Sequence, residues 1–183
     1  MRFINHIFTA PFGEVWTNER LLSVYEEAIA ALPADEQETV RNFVRFQLVG
    51  ERSRRTVVAK PIGLSNFQSR ASAYEEGADS ALTKLAAQIE PMASAAGVTF
   101  DAVITTTSTG NLMPGLSYRL AQRLGPVVRP DSMMIDLANV GCTGSSKALN
   151  LARSLDESFR HILVVAVELP STLINVHTTD LDT

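Results

Sequence analysis

Residues 101–106 read DAVITT, residues 132–137 read SMMIDL and residues 161–169 read HILVVAVEL. Each segment is short and mainly apolar, which is typical of a buried strand. Helical patterns separate the three segments, one over residues 114–124 and one from Ser145 to about Asp156. This alternation of strands and helices predicts an α/β fold with a mostly parallel sheet and right-handed crossovers.

The chain before residue 101 is predicted to form one further strand and three helices. Apolar residues three and four positions apart indicate the helices, and Asn, Asp, Pro and Gly mark their ends. The predicted elements are a strand at 2–8, a helix at 19–31 capped by Asn18, a helix beginning after Asp35, and a helix at 71–95 closed by Gly97. Because no repeat or linker interrupts the pattern, we expect residues 1–183 to belong to one domain.

Composition excludes several classes of protein. The chain has 183 residues, of which 45% are hydrophobic and 20% charged, with a net charge of −4. These values exclude intrinsic disorder and argue against nucleic-acid binding, which needs a basic face. The sequence shows neither a secretory signal nor an apolar run of about 20 residues that could cross a membrane. With one cysteine no intrachain disulfide can form, and we therefore expect a cytoplasmic protein.

The most informative residues for function surround that cysteine, in the turn Asn139-Val-Gly-Cys-Thr-Gly-Ser-Ser146. The turn joins a predicted buried strand to a predicted helix, and Gly141 and Gly144 permit a sharp bend. Cys142 is therefore expected at a helix N-terminus, where the dipole favours a thiolate and free amides can hold an oxyanion. Free cysteine is also a common small hydrophobe in protein cores, and the turn alone leaves both interpretations open.

A second polar segment strengthens the catalytic interpretation. Thr105-Thr-Thr-Ser-Thr-Gly-Asn-Leu-Met-Pro-Gly115 follows the first buried strand. In open α/β sheets, ligands bind beyond the carboxyl ends of the strands. The cysteine turn and Glu168, which ends the third strand, are predicted at the same edge. Taken alone the segment reads as a polar loop, but three strand ends are expected to converge here.

Together these segments resemble the N-terminal half of a thiolase-superfamily condensing enzyme. The similarity is to type III polyketide synthases of the chalcone synthase kind, with ketoacyl synthase III as the near relative. It extends in order and spacing over nearly the whole chain. The matching stretches are Arg52-Ser-Arg-Arg55, Thr107-Ser-Thr-Gly110 with Met113-Pro-Gly115, Val140-Gly-Cys-Thr-Gly-Ser145 and Ile162-Leu-Val-Val-Ala-Val-Glu168.

The resemblance implies a fold, a reaction and a set of site residues. The fold would be the layered αβαβα fold, of which this chain would supply the N-terminal half. Cys142 would carry an acyl group taken from coenzyme A or an acyl carrier, and a malonyl thioester would extend it by decarboxylative Claisen condensation. Both thioesters are substrates, and neither a cofactor nor a metal is implied. By the same resemblance, Arg52, Arg55 and Lys60 would bind the coenzyme A phosphates, and Ser108 or Thr109 would line the acyl pocket. Met113 would reach across a dimer interface into the neighbouring subunit's pocket, and Glu168 would lie near the nucleophile and hold nearby loops.

The family's second catalytic group has no counterpart in this sequence. In the family that this sequence resembles, the base and oxyanion donors are a His and an Asn, or two His, in the C-terminal half. None of His6, His161 and His177 matches that histidine. We therefore expect the C-terminal half on a second chain or fragment, and the complete unit to form a dimer.

Two other functions remain open from the sequence. The chain could be a non-catalytic partner subunit of such an enzyme, although a tight glycine turn around Cys142 favours a catalytic role. It could also be a related cysteine acyltransferase or thioesterase. The starter acyl group, the number of extensions and the mode of cyclisation depend on pocket volume, which the sequence does not give.

Overall fold

The computed structural model of the chain describes residues 3–48, 54–58, 60, 64 and 66–173. The chain divides into two compact units: Met1–Pro11 with Ala78–Glu168 form the first, and Phe12–Gly77 with Leu169–Thr183 form the second. The division falls between Gly77 and Ala78, inside a long helix. Among the described residues, no helix has the length and hydropathy needed to cross a membrane.

The second unit contains two helices and a two-stranded antiparallel sheet. Strand β1 (Glu14–Thr17) leads directly into helix α1 (Asn18–Ile29), helix α2 (Ala34–Gln47) follows, and strand β2 (Arg54–Val57) pairs with β1. The antiparallel pair was not predicted from the sequence. The core of the unit consists of the buried residues Trp16, Leu21, Val24, Tyr25, Ile29 and Val44.

The predicted helices exist, with corrections at their starts. Thr17, not Asn18, caps α1: its hydroxyl accepts from the Arg20 amide at 3.2 Å, while the Asn18 side chain donates to the Leu48 carbonyl at 2.6 Å. The second helix, α2, begins at Ala34, so Asp35 lies in its first turn rather than at its cap.

Helix α3 (Phe67–Ala95) begins four residues before the predicted start at Ala71. Asn66 and Ser69 explain the difference, because they bond reciprocally as a capping box: the Ser69 amide donates to the Asn66 side chain at 2.8 Å, and the Asn66 amide donates to the Ser69 hydroxyl at 3.3 Å. Gly97 closes the helix with a φ of +63°, as expected.

The first unit contains the predicted parallel sheet, with β3 at its centre. Strand β3 (Phe100–Thr107), helix α4 (Leu116–Leu124), strand β4 (Val128–Ala138), helix α5 (Gly144–Ser154) and strand β5 (Ile162–Ala166) follow one another along the chain. The strand order is β4-β3-β5, and both pairings are parallel. Every residue of β3 is buried. The predicted α/β fold with a mostly parallel sheet is therefore confirmed for this unit.

The two crossover helices cover opposite faces of the sheet. Alternate residues of β3 point to opposite faces. Thr105 bonds to Asp136, whose carboxylate also binds the start of α4, whereas Thr106 lies against Gly144 at the start of α5. On the α5 face, Ile104 is buried with Ala148 and Ala152. The small residues of α5 let that helix approach the sheet closely.

The strand predicted at residues 2–8 is wrong for the residues that the structure describes. Residues 3–11 form neither helix nor strand. The backbone of this segment bonds instead to side chains of α3: Gln88 donates to the Thr9 carbonyl at 3.2 Å and Lys84 to the Pro11 carbonyl at 3.3 Å. Of the apolar residues behind the prediction, Phe3, Ile4 and Ile7 are exposed.

Candidate active site

Cys142 lies on a single 3₁₀ turn, Gly141–Thr143, and α5 begins at the next residue. The cysteine is exposed and free. The alternative that it is a small buried core residue is therefore excluded. Because the first amides of a helix have no intrahelical acceptor, the thiol stands beside groups that can stabilise negative charge.

Local geometry explains why this sequence forms the turn. Asn139 has a φ of +59° and Gly141 a φ of +60°, so two of three consecutive residues adopt the left-handed conformation. The Thr143 hydroxyl donates to the Val140 carbonyl at 2.8 Å and closes the turn. Gly144 carries no Cβ, and one placed there would overlap the hydroxyl of Thr106 on β3. The glycines thus permit the bend and bring α5 against the sheet.

The carboxyl ends of the three parallel strands meet beside the cysteine turn. Thr106 is in register with Leu137 of β4 and with Ala166 of β5. Directly after β3, the Ser108 hydroxyl donates to the carbonyl of Gly141 at 2.8 Å. The structure therefore places Ser108 against the residue that precedes Cys142.

Glu168 joins the same group of residues from β5. Both of its carboxylate oxygens accept from the Ser108 amide, at 2.9 and 3.1 Å. Glu168 is exposed, and its contact fixes the backbone of the loop after β3. The chain of contacts Glu168–Ser108–Gly141 connects all three strand ends through one serine.

Thr109 and Met113 occupy the same loop but in different surroundings. Thr109 is buried, its amide donates to the Thr107 hydroxyl, and the two hydroxyls are 3.3 Å apart. Met113, by contrast, is 93% exposed, so ordinary core packing within this chain does not account for it. The loop therefore presents a flexible apolar side chain to its surroundings.

Two of the basic residues predicted to bind phosphate, Arg55 and Lys60, belong to the second unit. Arg52 lies outside the described residues. The backbone of Arg55 is part of β2, in register with Trp16, and Lys60 is exposed.

None of the described histidines is placed at the cysteine turn. His161 immediately precedes β5, at the amino end of the strand, whereas the turn lies at the carboxyl ends. His6 is exposed and stacks on Phe8, with ring centroids 6.2 Å apart. His177 lies outside the described residues. Among the residues that the structure describes, no cluster of three or more His, Cys, Asp or Glu side chains could hold a metal ion.

Two residues near the site were not identified from the sequence. The Thr106 hydroxyl is buried beneath Gly144 without a hydrogen-bond partner. Asp136, inside β4, accepts from Thr105, from the Ser117 amide at 2.9 Å and from the Ser117 hydroxyl at 2.6 Å. The sequence contains a signal for Asp136, because it is a charged residue in the middle of an apolar strand. Nothing in the sequence distinguishes Thr106 from its neighbours.

Comparison with known proteins places this geometry in a recognised fold. No family model and no curated protein matches the chain. The 1,3,6,8-tetrahydroxynaphthalene synthase of Streptomyces coelicolor A3(2), a bacterial type III polyketide synthase, is similar with a TM-score of 0.70 and 23% identity, over 94% of this chain and 48% of that one. The C-terminal type III polyketide synthase domain of Steely1 from Dictyostelium gives a TM-score of 0.72 and 19% identity, over 93% and 48%. CsyB, solved in complex with CoA-SH, gives 0.63 and 18%, over 83% and 43%.

These similarities establish the fold. The chain has the thiolase-like α/β fold of type III polyketide synthases and matches its N-terminal half, as the sequence predicted. It spans about half the length of the solved structures that it matches.

Proposed function

We propose that this chain supplies the nucleophile of an acyl-thioester condensing enzyme of the type III polyketide synthase kind, an acyltransferase. One observation carries the proposal: Cys142 is exposed at the start of α5, where the parallel strands end, in a fold that such synthases share. Ligands of open α/β sheets bind at this edge. A cysteine at a helix N-terminus is well placed for nucleophilic chemistry.

In the first step, the Cys142 thiolate attacks the carbonyl carbon of an acyl-CoA. A carbon–sulfur bond forms to the protein, the bond to coenzyme A breaks, and coenzyme A leaves as its thiolate. The negative charge that develops on the carbonyl oxygen needs hydrogen-bond donors, and backbone amides at the start of α5 are of the right kind.

In the second step, a malonyl thioester loses carbon dioxide and becomes a carbanion. The carbanion attacks the acyl carbonyl, a carbon–carbon bond forms, and the Cys142 thiolate is released. This step needs further donors, and in the proposal they are the His and Asn, or two His, of a C-terminal half on a second chain or fragment. The complete unit would act as a dimer in the cytoplasm, where acyl-CoA substrates are available.

The other site residues have proposed roles around this chemistry. Ser108 or Thr109 would line the acyl pocket, while Glu168 would hold the loop that carries them. Met113, which is exposed, would reach across the dimer interface into the pocket of the neighbouring subunit. Arg52, Arg55 and Lys60 would bind coenzyme A phosphates, since guanidinium and ammonium groups pair well with phosphate oxygens. The CsyB complex supports coenzyme A as the carrier, because that similar structure contains it.

The proposal is tested by incubating the protein with an acyl-CoA and measuring its intact mass. We expect one acyl group per chain and none in Cys142→Ala, because Cys142 is the sole cysteine. Absence of acylation in the protein assembled with its C-terminal half would contradict the proposal and favour a non-catalytic partner subunit. Release of carbon dioxide from malonyl-CoA then separates a condensing enzyme from a thioesterase or simple acyltransferase.

A further inference from the structure

The carboxylate of Asp136 is engaged at three points by residues of two other elements. One oxygen accepts from the Thr105 hydroxyl on β3 and from the Ser117 amide on α4, the latter at 2.9 Å. The other oxygen accepts from the Ser117 hydroxyl at 2.6 Å. Hydrogen bonds to an ionised acceptor are the stronger kind, so this carboxylate ties β3, β4 and α4 together.

Asp136 also replaces a capping side chain that α4 lacks. The helix begins at Leu116 behind an N-cap glycine, Gly115, which has no side chain to accept from the first amides. The carboxylate reaches in from the neighbouring strand, accepts from the second amide of the helix, and lies at the positive end of its dipole.

Gly115 and Asp136 fit each other closely. A Cβ at position 115 would overlap the carboxyl group of Asp136, so the carboxylate occupies the space that a larger residue would need. The glycine of the Met113-Pro-Gly115 stretch thus has a physical explanation in this chain. Glycine permits the start of α4 to approach β4 near enough for Asp136 to cap it.

These contacts place Asp136 at one end of the loop that carries Ser108 and Met113. The other end is held by Glu168, which accepts from the Ser108 amide. Asp136 also lies on β4, six residues before Cys142, so one side chain connects the loop to the strand that leads into the cysteine turn. We infer that Asp136 is a positioning residue: it fixes the 108–115 loop relative to Cys142 and so determines which acyl chains the site accepts.

The inference has two halves: Asp136 fixes the 108–115 loop, and the position of the loop determines which acyl chains the site accepts. The second half deepens the proposed function and rests on it. The first half, the fixing of the loop, is tested without any activity by hydrogen–deuterium exchange in the assembled protein. In Asp136→Ala, we expect the Ser117 amide to exchange about tenfold faster or more, since it loses a charged acceptor. Asp136→Asn keeps an acceptor oxygen and is expected to retain most of the protection. Asp131→Asn, an exposed change on the same strand, is the matched control.

A second variant keeps the test informative if Asp136→Ala does not fold. Ser117→Ala removes one hydrogen bond to the carboxylate and leaves the amide, so we expect a smaller increase of about threefold in exchange of residues 108–117. Unchanged exchange in both variants would overturn the inference. Exchange raised equally in α5 and β3 would also overturn it, because it would show a role in general stability alone.

The second half is tested by the rates at which a two-carbon and an eight-carbon acyl-CoA acylate Cys142. Loss of folded protein lowers both rates equally, whereas a displaced loop changes their ratio; we expect a change of about tenfold in Asp136→Ala and rescue in Asp136→Asn. The rate of iodoacetamide alkylation at Cys142 should stay unchanged. An unchanged ratio overturns the selectivity role. If the unsubstituted protein takes up no acyl group, the proposed function fails and the exchange data still decide whether Asp136 fixes the loop.

Discussion

At the scale of single residues, Asp101 shows how the sheet is secured at the edge remote from the cysteine. The residue is buried at the start of β3. Its carboxylate accepts from the backbone amides of Arg160 and His161, at 2.7 and 2.8 Å, and pairs with the Arg129 guanidinium at 2.9 Å. One side chain therefore joins all three strands before they run toward the site.

The pKa of Asp101 follows from these contacts. Burial alone raises the pKa, but the amides of His161 and Arg160 and the positive charge of Arg129 act in the opposite direction and hold the pKa below its usual range. A carboxyl whose pKa is lower in the folded chain stabilises the fold above its unfolded pKa, about 3.9 for Asp. That stability is lost as the pH falls through the folded pKa.

We predict that Asp101→Asn lowers the free energy of unfolding at pH 7 by about 2 kcal/mol, because charge-assisted hydrogen bonds are lost. The difference between the two proteins should shrink as the pH falls below about 4, where Asp101 of the unfolded chain becomes protonated, and further through the lower pKa of the folded chain. Urea unfolding at pH 7, 5 and 3 measures it. Asp131→Asn, which removes only an exposed partner of Arg129, should change stability by about 0.5 kcal/mol or less. A difference independent of pH would contradict this account.

At the scale of secondary-structure elements, the position of α5 depends on a contact between one glycine and one threonine. Thr106 is 1% exposed and fills the space in which a side chain at position 144 would lie. Its hydroxyl has no hydrogen-bond partner, so packing and not polar pairing accounts for its place. Because Cys142 lies on the turn before Gly144, this contact also sets the height of Cys142 above the sheet.

A double-mutant cycle tests the contact. Gly144→Ala should destabilise the protein by about 1–3 kcal/mol through overpacking. Thr106→Ala should cost less, since the hydroxyl that it removes forms no hydrogen bond. In the double variant the new methyl group occupies the vacated space, and we expect a favourable coupling of at least about 0.5 kcal/mol in urea unfolding. Strictly additive effects would show that the two residues do not constrain each other.

Elements with strong periodicity were predictable, whereas elements that depend on partners distant in sequence were not. The three parallel strands and their helices follow from apolar runs and breakers over residues 101–169. The pairing of β1 with β2 does not follow from the sequence. Each of these strands has only four residues, and the residues that pair lie about 40 positions apart along the chain. Residues 3–8 have the apolar side chains of the predicted strand but form neither helix nor strand, and the carbonyls of Thr9 and Pro11 just after them accept from side chains of α3.

The residues of the candidate site also fall into two groups, those that the sequence indicated and those that it did not. Cys142 could be proposed from the sequence because its glycine turn joins a predicted strand to a predicted helix. Ser108 and Glu168, which lie near the ends of predicted strands, were proposed from the family resemblance. Asp136 and Thr106 lie inside strands, where each occupies the space that a Cβ at Gly115 or at Gly144 would need. No pattern in the sequence indicates such a contact between a side chain and a glycine. The missing information is therefore spatial: which helix crosses which strand, and how closely.

At the scale of the whole molecule, the position of His161 bears on the proposed chemistry of Cys142. His161 precedes β5, whose 5 residues end beside the site. At a rise of about 3.3 Å per residue the strand separates His161 from that edge by about 16 Å. A general base must come within hydrogen-bond reach of the reacting group, about 3 Å or one water molecule away. His161 therefore cannot serve Cys142.

This placement yields a prediction for the 183-residue chain on its own. We expect purified chain to react with iodoacetamide at Cys142, because the thiol is exposed. Under the proposed function it should release no carbon dioxide from malonyl-CoA, because the His and Asn of the decarboxylation step would lie on the C-terminal half. Adding a chain that carries the complementary half should restore the release, and His161→Gln should leave the restored rate unchanged. Turnover by the lone monomeric chain would refute the two-half interpretation, and sensitivity to His161→Gln would refute the geometric argument against this histidine.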